Sequence, residues 1–165
     1  MGHDDSTHLL HRLDRRMYRD GRPGRPARLM NRLTALAASA GLSPRRLVTL
    51  EVSGRRTGRV RSLPVVVADH EGERFLVSML GEDVNWVRNV RAADGRAVLR
   101  HGRRAAVRLE EVEVGARAPV LRRYLALAPG ARPHLRLDRR APLEEFERIA
   151  DRIPVFRIHP DTANG

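Results

Sequence analysis

The stretch that most constrains this chain is Leu47 to Val67, LVTLEVSGRRTGRVRSLPVVV. Leu47, Thr49 and Glu51 alternate with Val48, Leu50 and Val52. That is the period of two of a pleated strand, with one face wholly apolar. Leu63 to Val67 is a continuous apolar run of strand length, rich in β-branched residues. Between the two runs, Gly54 and Gly58 bracket a turn and suit positive φ. The expectation is a hairpin that displays Arg55, Arg56, Arg59 and Arg61 close together at a sheet edge. A glycine turn offers backbone N–H groups, and arginine offers a planar fork of donors. Together they suit a phosphate or a carboxylate. The same residues also fit a solvated basic loop.

Further strands follow at short intervals. Asp69 to Glu73 reads as a turn around Gly72, and Arg74 to Leu80, RFLVSML, as the next strand. Asn85 to Ala93 reads as a short helix. Ala97 to Arg100 and Ala105 to Val114 form a hairpin with Gly102 at its turn. Pro119 to Leu127 is a helix that begins with proline in its first turn. The proline-interrupted Ala128 to Ala141 is irregular, Pro142 to Ile153 is a final helix, and Pro154 to His159 is a closing strand. Short hairpins rather than βαβ crossovers link the strands. The expected fold class is therefore α+β, an antiparallel sheet curled into a barrel with peripheral helices. No GxGxxG follows a strand, which argues against a doubly wound nucleotide fold.

Ahead of the sheet, residues 1–7 are polar and expected to be disordered. His8 to Arg19 patterns as a basic amphipathic helix that could lie on an anionic membrane surface, cover a pocket mouth or pack on its own domain. Gly21 to Pro26 is a linker. Arg28 to Ala40 is a second helix, stopped by Gly41.

The net charge of +12 invites a nucleic-acid reading, but the sequence argues against it. All 32 basic residues are arginine, spread along the chain, and no helix-turn-helix, zinc-finger or RNA-recognition pattern accompanies them. The absence of lysine excludes Schiff-base chemistry and a Walker-type loop. The absence of cysteine excludes disulfides and thiol chemistry. His8 and His11 have no third ligand nearby in sequence, and His70 and His101 fall in predicted turns, so no metal site is expected. With no spanning-length apolar run and no apolar h-region, the expected compartment is the cytoplasm.

A second stretch pairs with the turn. Asn85, Trp86 and Asn89 can share one face of a helix turn, and Trp86 is the only tryptophan. An indole beside two amides suits a flat heteroaromatic ligand. It equally suits a core tryptophan with asparagines that cap the helix or face water.

In this order, SGRRTGRVRSLPV, a strand, NWVRNVRA and RAVLRHGRR resemble the deazaflavin-dependent nitroreductase family. These are small split β-barrel proteins related to flavin-binding pyridoxamine-phosphate-oxidase-like barrels. The resemblance runs from about Ala27 to His159. It implies a split-barrel cofactor-binding domain over residues 27–160, which leaves 1–26 as the N-terminal helix and linker read above and 161–165 as an expected disordered tail. It implies a hydride carried from reduced deazaflavin, coenzyme F-420, to an electron-poor acceptor such as a quinone, an enone or a nitro compound. Under the resemblance Arg55, Arg56 and Arg61 grip the phosphate and acidic tail. Pro64, Val65 and Val66 line the ring, Ser78, Met79 and Leu80 line its other edge, and the helix supplies Trp86 and Asn89. The second arginine position is usually lysine in the family, and Arg56 keeps its charge. Family members bring several tyrosines from the segment before the last strand. Here that segment offers Tyr124 and His134, which with Ser78 are the substrate-side candidates for proton relay or orientation. Two alternatives stand beside this reading: a flavin mononucleotide (FMN) enzyme on the same barrel, and a basic module for nucleic acid or membrane. A homodimer is compatible with any of the three.

Overall fold

The computed structural model describes residues 45–128 and 136–162. The expected N-terminal helices and linker, His134 and the last three residues lie outside these limits, and with them the expected membrane contact. Among the described residues no helix is long and apolar enough to cross a membrane.

Seven strands form one antiparallel sheet: β1 Leu47–Ser53, β2 Val60–Val66, β3 Ala68–His70, β4 Glu73–Val77, β5 Arg96–His101, β6 Arg103–Glu111 and β7 Val155–Pro160. Their order across the sheet is β2-β1-β5-β6-β7-β4-β3. Three helices accompany it: α1 Asn85–Ala92, α2 Ala118–Leu127 and α3 Leu143–Ile149. Strand β1 lies one place from one edge and β4 one place from the other. Yet Val48, Leu50 and Val52 of β1 share a single apolar cluster with Leu76 of β4 and Phe156 of β7. The sheet therefore curls upon itself into a half-barrel, and Val87 and Val90 of α1 close over that cluster. This is the α+β split-barrel architecture expected from the hairpin spacing.

Side-chain alternation gives β4 and β7 a second buried face. Phe75, Val77 and Val155 point the other way, into a cluster with Leu121 and Leu125 of α2 and Phe146 of α3. Arg117 pins this layer. It is buried, and its guanidinium donates to the carbonyl oxygens of Val112 (2.8 Å), Ala150 (2.9 Å) and Ile153 (3.2 Å). Those carbonyls lie just past β6 and just past α3, so one side chain ties the ends of the two elements together.

Five expectations change. Strand β1 is not half-exposed: Glu51 is only 6% exposed. Arg104 Nη2 lies 2.7 Å and Arg100 Nε 3.3 Å from its carboxylate, so arginine stems cover the polar face. The turn around Gly72 is shorter than expected. Glu71 and Gly72 both have positive φ and join β3 to β4 as a two-residue hairpin. The strand expected to run to Leu80 stops at Val77, where Ser78 begins a turn. His101 is not a solvated turn residue: it ends β5 half-buried, its Nδ1 3.2 Å from the Leu47 carbonyl oxygen. Asp161, expected in the tail, donates its N–H to Ala106 O at 3.1 Å.

Two stability outcomes follow. Gly95 has φ +79°, and a Cβ there would collide with the Leu109 carbonyl oxygen, part of the backbone that seats α1 on β6. Gly95→Ala should cost roughly 2–4 kcal/mol in urea unfolding, from left-handed strain plus displacement of that backbone. Asp69 accepts from Arg46 and Arg123, and the Arg46 hydrogen bond holds its carboxyl below the usual 3.8. A lowered folded-state pKa stabilises above the unfolded value and ceases to do so as pH falls through the lowered one. Asp69→Asn should therefore be less stable than wild type at pH 7, and the gap should close once the pH is well below 3.8.

Candidate functional site

The turn between β1 and β2 is closed by its own backbone. Gly54 N–H donates to Arg59 O and Gly58 N–H to Gly54 O, both at 2.8 Å. The two glycines serve different needs. Gly58 has φ +69°, as expected. Gly54 does not adopt positive φ; it is small because a Cβ there would sit 3.1 Å from Arg59 O. Arg59 N–H reaches Thr57 Oγ1 at 3.3 Å, and Arg55 N–H reaches Asn89 Oδ1 at 3.1 Å. Three turn amides are thus used within the turn and a fourth is taken by Asn89, contrary to the expected display of backbone donors. The capacity to hold an anion resides mainly in the guanidinium groups.

Helix α1 meets this turn. Its spacing sends Val87 and Val90 into the barrel core, packs Trp86 against the rim of that core and leaves Asn85 and Asn89 toward the turn. Arg55 Nη1 donates to Asn89 Oδ1 at 3.0 Å and to Asn85 Oδ1 at 3.3 Å, and Nη2 reaches Asn85 Oδ1 at 3.4 Å. The asparagines do not cap the helix, since the N-cap position is Val84. Trp86 is half-buried and packs its ring on Phe156, with centroids 5.6 Å apart and planes tilted by 55°. The far side of α1 is moored by carboxylates. Arg91 donates to Glu111 at 2.6 and 3.0 Å, a pairing that raises its pKa, and Arg88 donates to Asp83 at 2.8 Å.

Arg56, Arg59 and Arg61 are exposed around the same turn. Among the described residues, no carboxylate lies within salt-bridge distance of any of the four turn arginines. Arg61 stands opposite Val52 in the β1–β2 register, on the face that carries Leu63 and Val65. Pro64 and Val66 occupy the opposite face. Side chains of Pro64, Val65 and Val66 therefore cannot all meet one flat ligand. What the three share is the outer edge of β2, the terminal strand of the sheet.

The remaining predicted residues scatter. Met79 is half-buried against the helix-side core and Leu80 is exposed. With Gly81, Arg136, Ile149, Arg152 and Ile153 they line an open depression of about 470 Å³. Ser78 is buried and donates its hydroxyl to Gly81 O at 2.6 Å. Tyr124 is sealed in the cluster under α2 and α3, and burial pushes its pKa up to about 12. The structure thus brings Arg55 and Asn89 together, places Arg56 and Arg61 on the same turn, sets Trp86 on the same helix against Phe156, and leaves Tyr124 in a different layer. Asn85, which has no role under the resemblance, joins them. Its four-residue spacing from Asn89 was the available signal.

The fold is similar to that of a protein of unknown function from Agrobacterium tumefaciens, at 15% identity and a TM-score of 0.53 over 76% of this chain and 52% of that one. The chain thus spans about half the length of that relative. A structure described as a domain-swapped dimer is similar at 18% identity and a TM-score of 0.50, over 80% of this chain and 95% of that one. An F420-H2 dependent reductase (FDR-A) is 24% identical, with a TM-score of 0.44, over 70% of this chain and 95% of that one. No curated protein matches. The family model of the F420H(2)-dependent quinone reductases matches residues 28–142, well over half of the chain and including both the turn and α1. The chain belongs to that family.

Proposed function

We propose that the β1–β2 turn and α1 form the seat of coenzyme F-420, and that the reaction is reduction of an electron-poor acceptor of the quinone class. The observation that carries this reading is the hydrogen-bonded union of Arg55 with Asn85 and Asn89, which joins the cationic turn to the helix that bears the lone indole. The donor set fits the group. One phosphate needs one or two guanidinium forks, whereas a phosphodiester followed by carboxylates can engage four. That count favours deazaflavin over FMN, whose tail ends at a single phosphate. The half-buried indole supplies an apolar wall for a flat ring.

When bound, reduced F-420 supplies a hydride. The protein's part is to bind, orient and shield. Arg55, Arg56, Arg59 and Arg61 hold the acidic tail at one end. Trp86 limits how the ring can lie at the other. The depression beside Met79 and Leu80 offers apolar surface for an acceptor. Two of the three groups expected on the substrate side do not belong to this reading. Ser78 commits its proton to Gly81, and the Tyr124 hydroxyl is sealed in the core. His134 lies outside the described residues.

The double variant Arg55→Ala/Arg61→Ala should bind oxidised F-420 at least about tenfold more weakly than wild type, the loss of charge-assisted hydrogen bonds to an anion. Added salt should weaken wild type more than the variant. Absorbance of the protein fraction after separation from free cofactor measures both. Unchanged affinity in the double variant counts against the seat, and equal uptake of FMN by wild type counts against the choice of cofactor.

A further inference from the structure

Arg55 has an unusual set of acceptors for this protein. Arg88 and Arg91, on the helix it contacts, are both taken by carboxylates, and so are Arg104 and Arg108 in the sheet. Arg55 instead meets the amide oxygens of Asn85 and Asn89. Asn89 is 5% exposed, and its single Oδ1 receives both the backbone N–H and Nη1 of Arg55. The residue is held at both ends, main chain and guanidinium. An amide oxygen directs a hydrogen bond with a dipole, whereas a carboxylate would make a stronger bond and cancel the charge.

We infer that Asn89, seconded by Asn85, is the positioning residue of the anion clamp: it fixes Arg55 in place through neutral oxygens and so leaves its charge available to a bound phosphate or carboxylate. The inference rests on the cofactor seat proposed above. It adds that the amide identity of Asn89, and not merely its hydrogen bonding, sets the clamp's strength. Trp86 stands between the two asparagines on α1, so the same bonds also set the distance from clamp to indole.

The decisive variant is Asn89→Asp, which keeps shape and acceptor geometry. If Asn89 served the fold alone, the new carboxylate would bond Arg55 at least as well, and both folding and binding would persist. If it spares the charge, thermal stability should hold or rise while affinity for oxidised F-420 falls about tenfold, the scale of one charge-assisted contact. The dependence of affinity on salt should also become shallower. Asn89→Ala should bind more weakly too but retain the wild-type salt dependence, because the charge is loosened and not cancelled. Should Asn89→Asp fail to fold, Asn85→Asp at the half-buried position takes its place, with the same signs and a smaller loss. Inorganic pyrophosphate serves as a second probe. Binding of pyrophosphate with this pattern, in a wild type that ignores F-420, would keep the positioning role and discard the cofactor seat. An Asn→Asp variant that binds both anions as tightly as wild type, with the same salt dependence, overturns the inference. So does a wild type that binds neither.

Discussion

The contact between Arg55 and the two asparagines of α1 is the constraint on which the candidate site depends. It spans 34 positions of sequence and ties a hairpin turn to a helix. Because the turn is closed by its own backbone hydrogen bonds, it is rigid before it meets the helix. Because α1 is moored by Val87 and Val90 below and by Arg91 to Glu111 behind, the helix is rigid as well. Two stiff elements joined by directional bonds make a preorganised surface, in which little ordering remains when a ligand arrives. The cations of that surface face outward without carboxylates among the described residues, an arrangement that costs stability through mutual repulsion and is relieved by a bound anion.

The half-barrel exists to hold that pair of elements. Its curl lets β1 and β4, far apart in the sheet order, share one core, and α1 plugs the core. The opposite face of β4 and β7 carries the helical layer, which Arg117 locks through carbonyl oxygens at two chain ends. Two apolar layers on either side of the same strands leave those strands little freedom.

Local features were legible where the signal is local. The alternation in Leu47–Val52, the glycine turns and the proline-led α2 each follow from spacing within a few residues. Strand β3 escaped because three residues, Ala68–His70, cannot display a period. The burial of Glu51 escaped because Arg100 and Arg104, which cover it, come from strands that only the fold brings alongside. Tyr124 looked available because a helical stripe does not reveal whether another helix lies on it, and here Phe146 of α3 shares its cluster. The helix spacing placed Asn85 and Asn89 on one face; that the face looks at Arg55, and not at water, is a long-range fact. Ser78 was chosen for its hydroxyl, and a hydroxyl three residues before a glycine is equally suited to closing a turn, as it does here.

The central claim is that guanidinium cluster and indole belong to one slot. Trp86 is the sole tryptophan, so its emission reports on that slot alone. The most direct measurement is that emission as oxidised coenzyme F-420 is titrated into the protein. The account predicts saturable quenching whose midpoint moves to higher cofactor concentration as salt is raised. Emission that stays constant while the cofactor is demonstrably bound would place the ligand elsewhere and contradict it.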